Sequence, residues 1–451
     1  MRAIKAGFVG FGEVNTPRDV IIKLCSQAID QLRHLNWEII ETDPVSDDAA
    51  FAEADKAINV LKNQDLDLLV ICLAGWIPTH AVIRVTDKFR HLPMLLWGLT
   101  GWIEDGRMIT TAPQAGTSGL RQVMQGMGYR FRYVYNTVDQ PAPLEKIDHF
   151  GLAARTANLL RDARIGSMGY RDMLLYGTMF DGMALRREIG IEVECFEMLE
   201  IIRNIDTLDD CDISETMKYC REHWHFEKEF DQDILVKGAK YYLAIKKKIE
   251  ERKYDALSLI DVDGMKKLEG FPPAIVFMLI ADRLGLCTTP ENDIIGNATQ
   301  LMVRFLTGQT AHYMEFYEYF SDRVLVGVPD YIPSAVVKGD VRLLPAKFGL
   351  LLPSLLNISQ VKDGRVTMLR LIEDHGRYMM HMATGLAKQP HPWEEYGWTR
   401  PAPQLPSLEI VLDGSVEAFA DKIASQHMII AYGDITDAMS QLCRLLNIDV
   451  I

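Results

Sequence analysis

The first hundred residues alternate short apolar runs with longer amphipathic ones, and this alternation restricts them to a largely parallel sheet with helices on its faces. Residues 3–9, 37–41, 68–73 and 93–99 read as strands, and 17–35 and 48–62 as helices. The run Leu68–Leu73 is apolar at every position, as a strand covered on both faces requires. Gly7, Gly10 and Gly12 stand near the first strand, but their spacing is not GxGxxG, so they read as a tight turn rather than a dinucleotide site. This gives a doubly wound, Rossmann-like domain over residues 1–163. A second αβ domain over 164–323 begins near Arg164-Ile165-Gly166, with strands at 192–196 and 256–260 and a charged, solvated helix over 237–253. From residue 324 the pattern changes to short strands at 336–344, 365–372, 378–383 and 407–412, separated by Gly, Asp and Pro, before an amphipathic helix at 436–446. The expected fold class is therefore α/β, two doubly wound αβ domains followed by a β-rich, barrel-like C-terminal domain over 324–451.

Charge narrows the partners. A formal net charge of -14 argues against a nucleic-acid or anionic-membrane partner, either of which favours a basic face. No apolar run is long enough to span a bilayer, and the N-terminus runs into a strand pattern without a secretory h-region. The seven cysteines, Cys25, Cys72, Cys195, Cys211, Cys220, Cys287 and Cys443, include no CxxC pair and read as buried thiols of a reducing cytoplasm. The expected location is cytoplasmic.

The segment 288–296, Thr-Thr-Pro-Glu-Asn-Asp-Ile-Ile-Gly, follows an apolar helical run at 274–281 and places two carboxylates around an asparagine. Glu269 stands one helix upstream, and His427 lies near the C-terminus. Glu269, Asp293 and His427 together would neutralise a divalent cation and leave octahedral faces open to substrate oxygens. Alternatives remain for each. Glu269 can be a surface residue, Asp293 can cap the following helix, and Glu291 can take its place as ligand. His312 is an alternative or supporting ligand, and Asp261 and Asp263, at the end of an apolar strand, are held in reserve. His375, His381 and His391 sit in strand or loop contexts and read as structural or rim residues.

In these motifs the chain resembles the L-fucose/L-arabinose isomerase family of metal-dependent aldose-ketose isomerases. The resemblance rests on Glu269, on Glu291-Asn292-Asp293, and on His427 followed by Tyr432-Gly433-Asp434. It extends to Ala74-Gly75-Trp76-Ile77-Pro78-Thr79, Gly116-Thr117-Ser118-Gly119-Leu120-Arg121 and Gly169-Tyr170-Arg171. It implies metal ligands at Glu269, Asp293 and His427, with Glu269 and Asp293 also moving a proton between adjacent carbons through a cis-enediol. It implies Mn2+ as the ion, with Mg2+ or Co2+ able to substitute. Trp76 matches a substrate tryptophan of the family. Arg18, Trp398 or Trp393, and Gln426, which stands where the pattern has Asn, are further substrate contacts. A homotrimer or homohexamer is implied, with Trp76 or Arg18 completing another chain's site. The substrate expected is a monosaccharide. A sulfonated hexose such as sulfoquinovose is the alternative, for which Arg18, Arg84 and Arg171 offer positive charge. A sugar-binding sensor without catalysis is the reading from another class. An iron oxygenase is disfavoured, because its triad has two histidines and one carboxylate.

Overall fold

The computed structural model describes residues 2–328, 331–347, 353–390 and 406–451. The chain divides into two compact units, Met1–Asn158 and Leu159–Ile451.

The first unit is built on a parallel sheet of β1 (Lys5–Phe11), β2 (Glu38–Glu41), β3 (Leu68–Leu73), β4 (Met94–Gly98) and, after a small hairpin of β5 (Trp102–Glu104) and β6 (Arg107–Ile109), β7 (Phe131–Tyr135). The strand order is β2-β1-β3-β4-β7, with β1 the point at which the winding reverses. β3 is buried along its whole length, which accounts for its unbroken apolar run. The helix Arg18–His34 buries Ile21, Cys25, Ala28, Ile29 and Leu32, a single helical stripe. Opposite it, the helices Ala52–Leu61, Thr79–Thr86 and Pro113–Gly126 join Val9, Phe11, Leu69 and Ile71 in one core.

The second unit contains another parallel sheet and an antiparallel barrel. β8 (Arg164–Met168), β9 (Glu192–Phe196), β11 (Ala256–Leu259) and β12 (Cys287–Thr289) pair in the order β12-β11-β8-β9. The two-residue β10 (His225–Phe226) pairs instead with β15 (Arg342–Lys347), which continues to β16 (Pro353–Asn357). The barrel comprises β13 (His312–Tyr319), β14 (Arg323–Gly327), β17 (Gly364–Asp374), β18 (Arg377–Lys388), β19 (Ser407–Leu412) and β20 (His427–Tyr432). Its order is β17-β20-β13-β14-β19-β18, and pairing of β18 back onto β17 closes it. The short β21 (Asp449–Val450) runs parallel to the start of β18, on the stretch that β19 leaves uncovered. His375 and Gly376, both at positive φ (50° and 77°), turn the β17–β18 hairpin in two residues.

The α/β class with a closed C-terminal barrel matches the sequence-based expectation. Some local readings change. The stretch expected as a strand at 336–344 begins as a short 3-10 turn, Ser334–Val336, and is a strand only from Arg342. Cys195 and Cys211 are exposed, while the other five cysteines are buried. Among the described residues no helix is long and apolar enough to cross a membrane.

Close packing in the first unit is tested at Gly151, where an added Cβ would lie 2.1 Å from Cζ2 of the Trp37 indole. That indole is fixed by its Nε1–H donating to Asp148 at 2.9 Å. Gly151→Ala is expected to cost about 1–3 kcal/mol of stability through overpacking. Denaturant unfolding measures it, and an unchanged midpoint would refute this packing.

Candidate metal centre

The loop leaving β12 carries two consecutive non-glycine residues in the left-handed region, Glu291 (φ 60°) and Asn292 (φ 51°). Such conformations cost of order 1–3 kcal/mol each and persist only when their surroundings over-determine them. Asn292 supplies that constraint. It is fully buried, its backbone N–H donates to Leu259 O at 3.1 Å, and its Nδ2 donates to Met168 O at 2.9 Å. Its Oδ1 accepts from Ser167 Oγ at 3.2 Å. The side chain thus ties the loop to the carboxyl end of β8 and the backbone N–H ties it to that of β11, where parallel sheets bind ligands. The Glu291 backbone N–H donates to Asp261 Oδ1 at 2.7 Å, fixing the second left-handed residue.

Asp293 caps the helix Ile294–Thr307, its Oδ1 accepting from Gly296 N at 2.9 Å. Arg370, projecting from β17, donates to both carboxylate oxygens, at 2.5 Å to Oδ2 and 2.9 Å to Oδ1. His427 Nδ1 lies 3.0 Å from Oδ2. Each oxygen therefore already serves two partners. Burial alone would raise this carboxyl's pKa, but the Arg370 charge and the His427 contact hold it far below the usual carboxylate range. Gly296 permits the arrangement, because a Cβ there would sit 2.6 Å from Asp293 Oδ2 and 2.9 Å from Arg370 Nη1.

His427 opens β20 and stands directly across from Glu315 of β13 in the antiparallel register. Directly opposed residues share a sheet face. The Tyr313 ring, two residues before Glu315, packs 4.5 Å from the imidazole. With Nδ1 directed at Asp293, the other ring nitrogen, Nε2, lies 3.2 Å from Glu291 Oε2. It is buried and lacks a hydrogen bond of acceptable geometry among the described residues. Burial pushes the imidazole pKa down, but Asp293 and Glu291 outweigh it and raise the pKa to about 9. The ring thus lies between two carboxylates. Ligand atoms of Glu291, Glu315 and His427 all lie within 4.8 Å of one another. Two carboxylates and one imidazole, the latter oriented through its far nitrogen by a third carboxylate, are a donor set that fits a hard divalent cation.

The structure brings together Asp293, His427 and Glu291, and Gln426 Nε2 stands 3.5 Å from Glu291 Oε2. Glu269 is not in the three-residue group. Its carboxylate pairs with Lys237 at 3.2 Å and accepts from the Tyr241 hydroxyl. Glu315 was not singled out from the sequence, because only strand register places it opposite His427. Asp261 is buried beneath Glu291, and Asp263 accepts from Met173 N and Lys267 Nζ. His312 belongs to the other face of β13, its ring 5.8 Å from that of Tyr432. Burial lowers its pKa to about 3. His381 stacks on Phe419 at 4.5 Å.

Trp76 and Arg18 lie in the first unit. Trp76 follows β3 and is 39% exposed, its backbone N–H donating to Thr111 O. Arg18 pairs with Glu53 at 2.7 Å and lines a cavity of about 210 Å³ past the end of β1. Trp398, Trp393 and His391 lie outside the described residues.

No family model matches the chain. It is 24% identical to an L-fucose isomerase of Vibrio vulnificus over 218 residues, 47% of this chain. The match spans only 36% of that relative's length. It is 19% identical to sulfoquinovose isomerases of Priestia aryabhattai and Priestia megaterium over 414 residues, 87% of this chain and 86% of theirs. Its curated homologues are sugar isomerases. A solved periplasmic solute-binding protein of an ABC transporter from Actinobacillus succinogenes, with bound D-allose, is 10% identical. That match covers 68% of this chain and 92% of the other, but its TM-score of 0.17 carries no structural likeness.

Two tests follow from these buried groups. Asn292→Ala strips Met168 O and Ser167 Oγ of a buried partner and is expected to cost about 2–3 kcal/mol, read by denaturant unfolding. His312 has a folded pKa lowered from 6.5 to about 3, so its contribution to stability is full above about 6.5 and is lost as pH falls towards 3. Wild type should therefore lose melting temperature between pH 7 and pH 4 more steeply than His312→Leu. Parallel pH profiles would contradict a buried neutral imidazole.

Proposed function

We propose that the chain is a metal-dependent sugar isomerase that interconverts an aldose and a ketose, with Glu291, Glu315 and His427 as the ligands of a divalent ion. The observation that carries this reading is the buried Nε2 of His427, held beside Glu291 with no aligned partner, in a chain whose curated homologues are named sugar isomerases. The ion, Mn2+ with Mg2+ or Co2+ as substitutes, supplies Lewis acidity to a carbonyl and its neighbouring hydroxyl. The protein's own share is proton transfer between adjacent carbons through a cis-enediol. Glu291 and Glu315 are carboxylates at the site able to take and return that proton. Asp293, ion-paired to Arg370 and held far below the usual range, is a weak base and acts by orienting His427. Gln426, beside Glu291, is placed for a substrate hydroxyl.

The ligand set implied by the resemblance, Glu269 with Asp293 and His427, is the competing assignment, and the 3.0 Å contact between Asp293 and His427 favours keeping it in the test. A sulfonated hexose is the second substrate reading, supported by matches over most of both chains to sulfoquinovose isomerases. Of the arginines available to an anionic head, Arg84 is paired with Asp55 and Arg18 with Glu53. Arg171 follows β8, its guanidinium 5.0 Å from the centre of the Tyr176 ring, at the carboxyl edge that also carries the Glu291 loop. A cytoplasmic homotrimer or homohexamer completes the reading, with Trp76 and Arg18 as substrate contacts.

Ketose formation from a panel of neutral and sulfonated aldoses with Mn2+ tests the activity. No turnover with Mn2+ bound would favour the non-catalytic sensor. Glu291→Gln and His427→Ala should each weaken Mn2+ binding at least tenfold and lower turnover by ~10²-fold or more, with Glu269→Gln binding Mn2+ as wild type does. The reverse pattern would restore Glu269 to the ligand set. Solvent deuterium appearing beside the product carbonyl supports proton transfer, whereas its absence during turnover favours a hydride shift.

A further inference from the structure

A cavity of about 360 Å³ in the first unit shares no residue with the proposed metal centre. It lies between the helix Arg18–His34 and the carboxyl ends of β4 and β7, the edge at which open parallel sheets take ligands, and its volume is in the range of small-molecule sites. The helix buries one stripe against the sheet, and beside that stripe the ridge of Lys23, Gln27 and Gln31, spaced four residues apart, lines the cavity. The other wall is Leu99, Thr100 and Trp102, where the chain leaves β4 for the β5–β6 hairpin, together with Asn136. Gly101 allows the close approach of that hairpin, since a Cβ there would lie 2.3 Å from Ile109 O. Gln114 Nε2 fixes the rim by donating to Leu99 O at 2.8 Å and to Asn136 O at 3.2 Å.

The lining has one consistent chemistry. Asn136 Oδ1 is taken by Trp97 Nε1 at 2.8 Å, which leaves its Nδ2 to donate. Among the described residues, the side chains of Lys23, Gln27, Gln31 and Thr100 form no hydrogen bond or ion pair within the protein. A carboxamide both donates and accepts, as each hydroxyl of a polyol does, so three of them around one cavity match a polyhydroxylated molecule. Trp102, its Nε1 donating to Glu104 at 3.2 Å, adds carbon surface to that of Leu24 and Leu99. The chain has 62 Asp and Glu residues against 48 Lys and Arg, yet among the described residues lining this cavity none is acidic, and the one charge is the Lys23 ammonium. We propose that the cavity binds a monosaccharide-sized polyol bearing one anionic group. Lys23 meets the anion, Gln27, Gln31 and Asn136 meet hydroxyls, and Trp102 covers the C–H side. A carboxylate and a phosphate share the chemistry that an ammonium recognises. The site does not depend on the reading of the metal centre.

The test is equilibrium dialysis against D-gluconate, D-glucose 6-phosphate and neutral D-glucose, in excess EDTA so that no divalent ion occupies the metal centre. At least one of the two anions should bind saturably and about tenfold or more tightly than D-glucose, the ratio that one hydrogen bond to a charged group supplies. The tighter of the two tells carboxylate from phosphate. Lys23→Met should weaken the anion about tenfold and leave D-glucose unchanged, whereas Gln27→Ala/Gln31→Ala should weaken both. Lys23 and Gln27 are exposed, and alanine is a good helix former, so these variants keep the fold, which thermal melting checks. No retention of either anion up to ~10 mM, where even a millimolar site fills, overturns the proposal. So does equal affinity for the anions and D-glucose, or anion binding at wild-type strength in both Lys23→Met and Gln27→Ala/Gln31→Ala, since the anion is then lodged elsewhere. Glu291→Gln, which tests the metal reading, should leave this binding unchanged.

Discussion

Asn292 anchors the acidic loop after β12 to the carboxyl edge of the second parallel sheet. Its side-chain amide bonds the carboxyl end of β8 and its backbone N–H that of β11, and its left-handed backbone reverses the chain between two acidic residues. Asparagine tolerates this conformation better than most residues, because its short polar side chain bonds locally. The reversal sends Glu291 and Asp293 into different roles although they are neighbours but one. Glu291 meets the Nε2 side of His427, while Asp293 turns back to cap a helix and meets the Nδ1 side. The Asn292 anchors and the Asp261 bond to Glu291 N together oppose the strain of the two left-handed residues.

Arg370 does for the barrel what Asn292 does for the sheet. A fully buried bidentate pair from β17 to the cap of the helix Ile294–Thr307 fixes where barrel and helix meet within the second unit. The geometry of such a pair specifies one arrangement more than it adds net stability. Gly296 is the local condition for it, since any side chain at that turn of the helix would displace either the carboxylate or the guanidinium. His427, reached from β20, is then oriented from both ends.

The parallel sheets were legible in the sequence because burial on both faces leaves an unbroken apolar run, as in Leu68–Leu73, and because helices between strands keep a 3.6-residue stripe. The Glu291-Asn292-Asp293 loop and His427 were legible as chemistry, since polar residues set among apolar ones need a reason. Glu315 was not. It lies in a strand with further acidic and aromatic residues, His312–Tyr319, and only the cross-strand register with β20 distinguishes it from Glu318. Sequence order likewise could not separate Glu291 from Asp293, because which of two acids faces a site depends on the φ angles between them. Nor could it show that Lys237 and Tyr241 surround Glu269. The π-helical winding that pairs Asp261 with Lys266 has no sequence periodicity over eight residues to betray it.

Of the three buried carboxylates around this loop, Asp293 pairs with Arg370 and Asp261 with Lys266, and the His427 ring lies between Asp293 and Glu291. Such partners offset the cost of burying an acidic cluster, since an isolated buried charge would neutralise itself or unfold the loop. The three partners are not equivalent. Arginine keeps its charge at any accessible pH, and the buried lysine is matched by a carboxylate of its own, but an imidazolium surrenders its proton to a competing cation. Glu291 and His427 also lie next to Glu315 in the barrel wall. On the proposed ligand set, the pairs Asp293–Arg370 and Asp261–Lys266 would stay in place while a divalent ion took the position among Glu291, Glu315 and His427.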